Sequence, residues 1–83
     1  MTTIRVILKT TDFPNDFKRV ASALEVMGFE IPEKSVSGPP SCASFPASGR
    51  FTPTNSDCIQ AVKETGLAVS WYPEEALLMF EDP

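Results

Sequence analysis

A chain of 83 residues with 42% apolar and 22% charged side chains has the make-up of a globular domain, and at this length one domain of modest core is expected. Seven Lys and Arg against eleven Asp and Glu leave a net charge of −4, which argues against a protein that grips phosphates directly, since such affinity comes from clustered cations. There is no histidine, so imidazole bases, His-containing triads and His-containing metal sites are excluded.

Met1 to Arg5 lacks the apolar run and small-residue cleavage site of a signal peptide, and no apolar stretch approaches a membrane span. A cytoplasmic chain is the expectation, with Cys42 and Cys58 as free thiols rather than a disulfide.

In chain order, Ile4 to Lys9 is rich in β-branched residues, with Ile4, Val6 and Leu8 on one side and Arg5, Ile7 and Lys9 on the other, and predicts a strand near the centre of a sheet. Asp12 or Phe13 begins a helix with Pro14 in its first turn, where the missing N–H costs nothing. Phe17, Val20, Ala21, Leu24 and Met27 form its apolar stripe, and Gly28 stops it. Phe29 to Ile31 predicts a second, short edge strand, blunted by Pro32 and resuming at 34–36. Residues 35–56 read as an irregular loop: fifteen of 22 are Ser, Thr, Pro, Gly or Asn, and Arg50 is the only charge. Phe45 and Phe51 are unusual in such a segment and suggest that 42–45 or 49–52 adds a short strand against the body. Four consecutive candidates for an N-cap at 54–57 open a second helix over 56–65, which Gly66 ends. Leu67 to Tyr72 and Ala76 to Phe80 form a C-terminal β-hairpin about the turn Pro73-Glu74-Glu75.

The run Ala23 to Ile31 aligns with Ala61 to Val69 at an offset of 38, both reading helix end, glycine, strand. Any helix-to-strand junction produces such a match; a two-fold repeat is the other explanation. The expected fold is a single α+β domain over 1–83: a small β-α-β sandwich, ferredoxin-like or a degraded split βαβ, with both helices on one face of a mixed or antiparallel sheet.

No motif names a reaction. Cys58 opens the second helix, where the macrodipole favours a thiolate, but no base accompanies it. Glu74, Glu75, Glu81 and Asp82 crowd the end of the chain; neighbours in sequence rarely converge on one ion, so they suggest a solvated acidic face rather than a metal site. Residues 1–56 carry six cations and five anions, whereas 57–83 carry one cation and six anions. This asymmetry suits a basic partner, and aromatics and arginine are the usual interface anchors. The residues expected to bind a partner are therefore Glu74, Glu75, Glu81, Asp82, Phe45, Arg50, Phe51 and Tyr72, with no catalytic, cofactor or metal residue.

The expectation is a non-enzymatic, acidic interaction module, an inhibitor or regulator of a larger protein with a basic surface. Phage-encoded inhibitors of host nucleic-acid machinery are an analogy of size and charge only. The alternatives are a small-molecule module closed by the 35–56 loop, or an enzyme using the Cys58 thiol. Direct nucleic-acid or membrane binding is not expected, and a homodimer through a sheet edge is open.

Overall fold

In the computed structural model, which describes residues 2–50 and 54–82 (backbone only at 33, 55, 57–59 and 62), the first strand, β1 (Thr2–Lys9), is internal to a four-stranded sheet. Its alternation decides this: Ile4, Val6 and Leu8 are fully buried while Arg5 and Lys9 on the opposite face are exposed. Helix α1 (Phe13–Val26) follows, with Asp12 as N-cap residue and Pro14 in its first turn. Val20, Ala23 and Leu24 form its buried stripe, and Phe17 and Met27 are half-buried against the same core. At its end Gly28 adopts φ +95°. The Gly28 N–H donates to the Glu25 carbonyl at 3.0 Å and the Phe29 N–H to the Leu24 carbonyl at 2.9 Å, the paired bonds of a Schellman stop.

The segment after α1 differs from expectation. Phe29 to Ile31 is not a strand; Glu30 makes one antiparallel bridge to Ser48, and Ser37 makes another to Ser44, with a 3-10 turn at Glu33–Ser35 between them. Pro32 and the glycine-proline run at 38–40 prevent a continuous ladder there. The strand lies instead inside the presumed loop. β2 (Ala43–Gly49) runs antiparallel to β1 over seven residues, from Thr2 opposite Gly49 to Leu8 opposite Ala43. Ala43, Phe45, Ala47 and Gly49 are buried, and Ser44, Pro46 and Ser48 face the other way. Gly49 has to be a glycine: a Cβ there would stand 2.7 Å from Cδ1 of Phe29, a fully packed ring.

Helix α2 (Asn55–Thr65) leads through Gly66 into β3 (Ala68–Tyr72). A 3-10 turn at Pro73–Glu75 then reverses the chain into β4 (Leu77–Glu81). The predicted hairpin is present, β3 antiparallel to β4 from Ala68 opposite Glu81 to Tyr72 opposite Leu77. β4 also pairs parallel with β1, Arg5 opposite Leu77 through Lys9 opposite Glu81. The sheet is therefore mixed, in the order β2-β1-β4-β3. Its element order is β-α-β-α-β-β, where a split βαβ sandwich runs β-α-β-β-α-β.

One apolar cluster joins Ile4, Val6, Leu8, Phe45, Leu78 and Phe80 of the sheet to Val20 and Leu24 of α1 and Ala61 of α2. The other face of the sheet carries Thr3, Arg5 and Lys9 beside half-buried Ile7, Leu77 and Met79, and among the described residues no helix side chain joins them in a buried cluster. Among the described residues no helix is long and apolar enough to cross a membrane.

Candidate functional site

Pro73 and Ala76 build the turn of the C-terminal hairpin. Pro73 sets the first φ of the 3-10 turn. Ala76 closes it in the left-handed region, at φ 49° and ψ 47°, with its N–H donating to the Pro73 carbonyl at 3.2 Å. The Ala76 carbonyl in turn accepts the Arg5 N–H at 2.9 Å, which anchors the turn to the middle of the sheet. Glu74 and Glu75 project from this fixed turn, both exposed, and no hydrogen bond or ion pair engages their carboxylates among the described residues. Tyr72 precedes them at 42% exposure and is, with Val26, one of two large apolar side chains exposed among the described residues.

The remaining predicted binding residues divide. Glu81 and Asp82 lie at the far end of β4, four strand steps or about 13 Å from the turn. The Asp82 carboxylate is occupied: Oδ1 lies 3.1 Å from the Thr10 hydroxyl, and Oδ2 accepts from the Thr11 N–H at 3.1 Å and the Thr11 hydroxyl at 3.3 Å. Glu81 is half-buried beside Lys9 in the strand register. Arg50 is exposed just beyond β2. It shares the turn's end of the sheet, because Gly49 is level with Thr2 and the turn is level with Arg5, but it stands at the opposite edge. Phe45 is corrected: its ring is wholly buried, edge-on to Phe17 at 5.2 Å, because its position in β2 points at the core. Phe51 lies outside the described residues, as does the side chain of Cys58. Cys42 is an exposed free thiol.

A second group of polar residues was not expected. Past the carboxyl ends of the parallel pair β1 and β4, the Thr10 hydroxyl donates to the buried Asp16 carboxylate and accepts from the Asp12 N–H at 3.2 Å. Arg19 reaches the other Asp16 oxygen at 3.4 Å. Each polar atom here has a protein partner, and no buried side-chain nitrogen or oxygen among the described residues lacks one. The cluster is a clasp between the two ends of the fold rather than a vacant binding site. Among the described residues no group of Cys, Asp and Glu is arranged to hold a metal ion. Beside it lies a cleft of about 300 Å³, lined by Thr10, Thr11, Phe13, Pro14, Pro40 and Ser41.

No family model matches the chain, and neither the curated proteins nor the solved structures contain a match.

Proposed function

We propose that this protein is a non-catalytic interaction module that presents the turn of its C-terminal hairpin to a basic surface on a larger protein, as an inhibitor or regulator would. The observation that carries this reading is the exposed pair Glu74 and Glu75, without a partner among the described residues, close in the chain to the exposed ring of Tyr72. Exposed carboxylates with no partner among the described residues meet a cation at little desolvation cost, and such contacts act mainly on association rate and orientation. Tyr72 supplies an apolar, low-entropy anchor beside them. The charge of residues 57–83, one cation against six anions, extends the same field.

The test is affinity capture with the purified chain, run beside the double variant Glu74→Lys, Glu75→Lys and the single variant Tyr72→Ala. A stoichiometric protein partner whose association slows in the charge-reversed variant at low salt, and whose complex dissociates faster with Tyr72→Ala, supports the reading. A partner bound equally well by all three overturns it.

The cleft at Phe13, Pro14 and Pro40 favours a second reading, a small-molecule module in which residues of the 35–56 segment form one wall. Native mass spectrometry of the freshly purified protein distinguishes it by an added ligand mass.

A further inference from the structure

The two edges of the sheet are built differently. On the β2 edge, the N–H groups of Ser44 and Ser48 point outward and donate to Ser37 and Glu30 at 2.8 and 3.0 Å. Pro46 takes the outward position between them and has no N–H to offer. That edge is covered.

The β3 edge is not. The Arg5 N–H donates to Ala76 and the Asp82 N–H to Lys9, so Leu78 and Phe80 turn their backbone groups toward β1, and Leu77, Met79 and Glu81 turn theirs toward β3. Their partners there are Tyr72, Ser70 and Ala68. The N–H and C=O of Val69 and Trp71 therefore face outward, and no backbone group among the described residues pairs with them. Ala68 to Tyr72 contains no charge and no proline, which are the usual devices that blunt an edge.

We propose that a second copy of this chain occupies that edge, β3 pairing antiparallel with β3 of the second copy about a two-fold axis at Ser70, to give a continuous eight-stranded sheet. The outward groups select this register. Centred on Ser70, Val69 of each copy opposes Trp71 of the other, and all four N–H and C=O pairs are used. Centred on Val69, Trp71 would oppose Leu67, whose N–H is already donated to the Thr65 hydroxyl at 3.2 Å. Centred on Trp71, Val69 would oppose Pro73, which has no donor. Side chains fit the same register: Val69 and Trp71, both half-buried on the helix-covered side, become a β-branched and aromatic cross-strand pair, and Ala68 lies opposite Tyr72. Charge fits as well. The two acidic turns fall at opposite ends of the new ribbon, each level with Gly66 of the other copy, where α2 ends and Lys63 is exposed, the one cation of residues 57–83. Glu64 of that turn is already held by Gln60 at 3.0 Å. This inference stands independently of the basic-partner reading.

The test begins with the unmodified chain. Sedimentation or light scattering from micromolar to millimolar concentration should give a dimer mass, with a parallel blue shift in the emission of Trp71, the single tryptophan. Ser70→Lys sets two ammonium groups against each other at the axis and should weaken the dimer by about fivefold or more while the circular dichroism stays unchanged. With both native cysteines replaced by serine, Ser70→Cys should form a covalent dimer on mild oxidation, because directly opposed residues of a non-hydrogen-bonded pair stand at about 4.5 Å, within disulfide reach. Ala68→Cys should not, since it opposes Tyr72 rather than itself. A monomer at millimolar concentration, a dimer indifferent to Ser70→Lys, or equal cross-linking from the two cysteine variants overturns the proposal.

Discussion

Single residues here differ in what they hold together. Leu24 is wholly buried in the cluster that joins α1 to the sheet, and Leu24→Ala should lower stability by about 2–5 kcal/mol in a denaturant titration. Thr10 acts through polarity rather than volume. Its hydroxyl donates to Asp16, accepts the Asp12 N–H and stands 3.1 Å from the Asp82 carboxylate. Thr10→Val keeps the shape and strips those partners, so a loss of about 1–3 kcal/mol is expected from the buried Asp16 carboxylate alone. Leu24 was legible in sequence as a member of a 3.6-residue stripe. The Thr10 clasp was not, since Thr10 and Asp82 are 72 residues apart in the chain and no periodicity connects them.

Elements were legible in proportion to the size of their side chains. Helix α1 and the C-terminal hairpin are written in Leu, Val, Phe and Trp, and both occur where the pattern places them. β2 is written mostly in Ala, Ser, Pro and Gly, a composition that reads as loop with a short strand at 42–45 or 49–52, whereas the strand runs over Ala43–Gly49. The informative signal was fainter: Ala43, Phe45, Ala47 and Gly49 alternate with polar or ring-constrained residues at a period of two, with Gly49 leaving room for the Phe29 ring and Phe45 packing edge-on to Phe17. The candidate site was half legible. Tyr72, Glu74 and Glu75 are exposed at the hairpin turn, whereas Phe45 is claimed by the core and Asp82 by the clasp. The hairpin turn also carries a local conflict, an alanine in the left-handed region. Ala76→Gly should raise the melting temperature slightly, since the backbone strain relieved, roughly 1–2 kcal/mol, exceeds the flexibility glycine adds to the unfolded chain. Reversing both turn glutamates should leave stability within about 0.5 kcal/mol, as expected of exposed positions away from packing, which keeps any binding defect of that variant interpretable.

At the scale of the whole molecule, the helices cover one face and leave the other to Arg5, Lys9, Ile7, Leu77 and Met79. Arg5 is held on that face by Ser44, its Nη1 donating to the Ser44 hydroxyl at 2.7 Å, and Thr3 and Ser48 pair beside it at 3.1 Å. The half-buried Ile7, Leu77 and Met79 in the middle of this face are thus framed by polar groups. The sheet's ladders join distant parts of the chain, with Arg5 beside Leu77. Non-local pairing of this kind slows folding relative to a helical chain of similar length. Refolding after dilution from denaturant should therefore be slower for this protein than for a helical bundle of the same size, as stopped-flow tryptophan emission can measure.

Among the described residues β3 pairs in the sheet with β4 alone, and β4 is also a neighbour of β1. Cut the chain at the Pro73–Glu75 turn and the body would be left with a slot one strand wide, open along both walls. A free peptide carrying Leu77 to Glu81, with Asp82 to fasten it to Thr10 and Thr11, has the side chains and the backbone groups to fill that slot. The protein is in this sense divisible into a large piece and a short one. Mixing the two pieces should restore the circular dichroism of the intact chain, and a peptide with Leu78 and Phe80 both changed to Ser should not. Two proteins of interest, each carrying one piece, would then report their own encounter by completing a third.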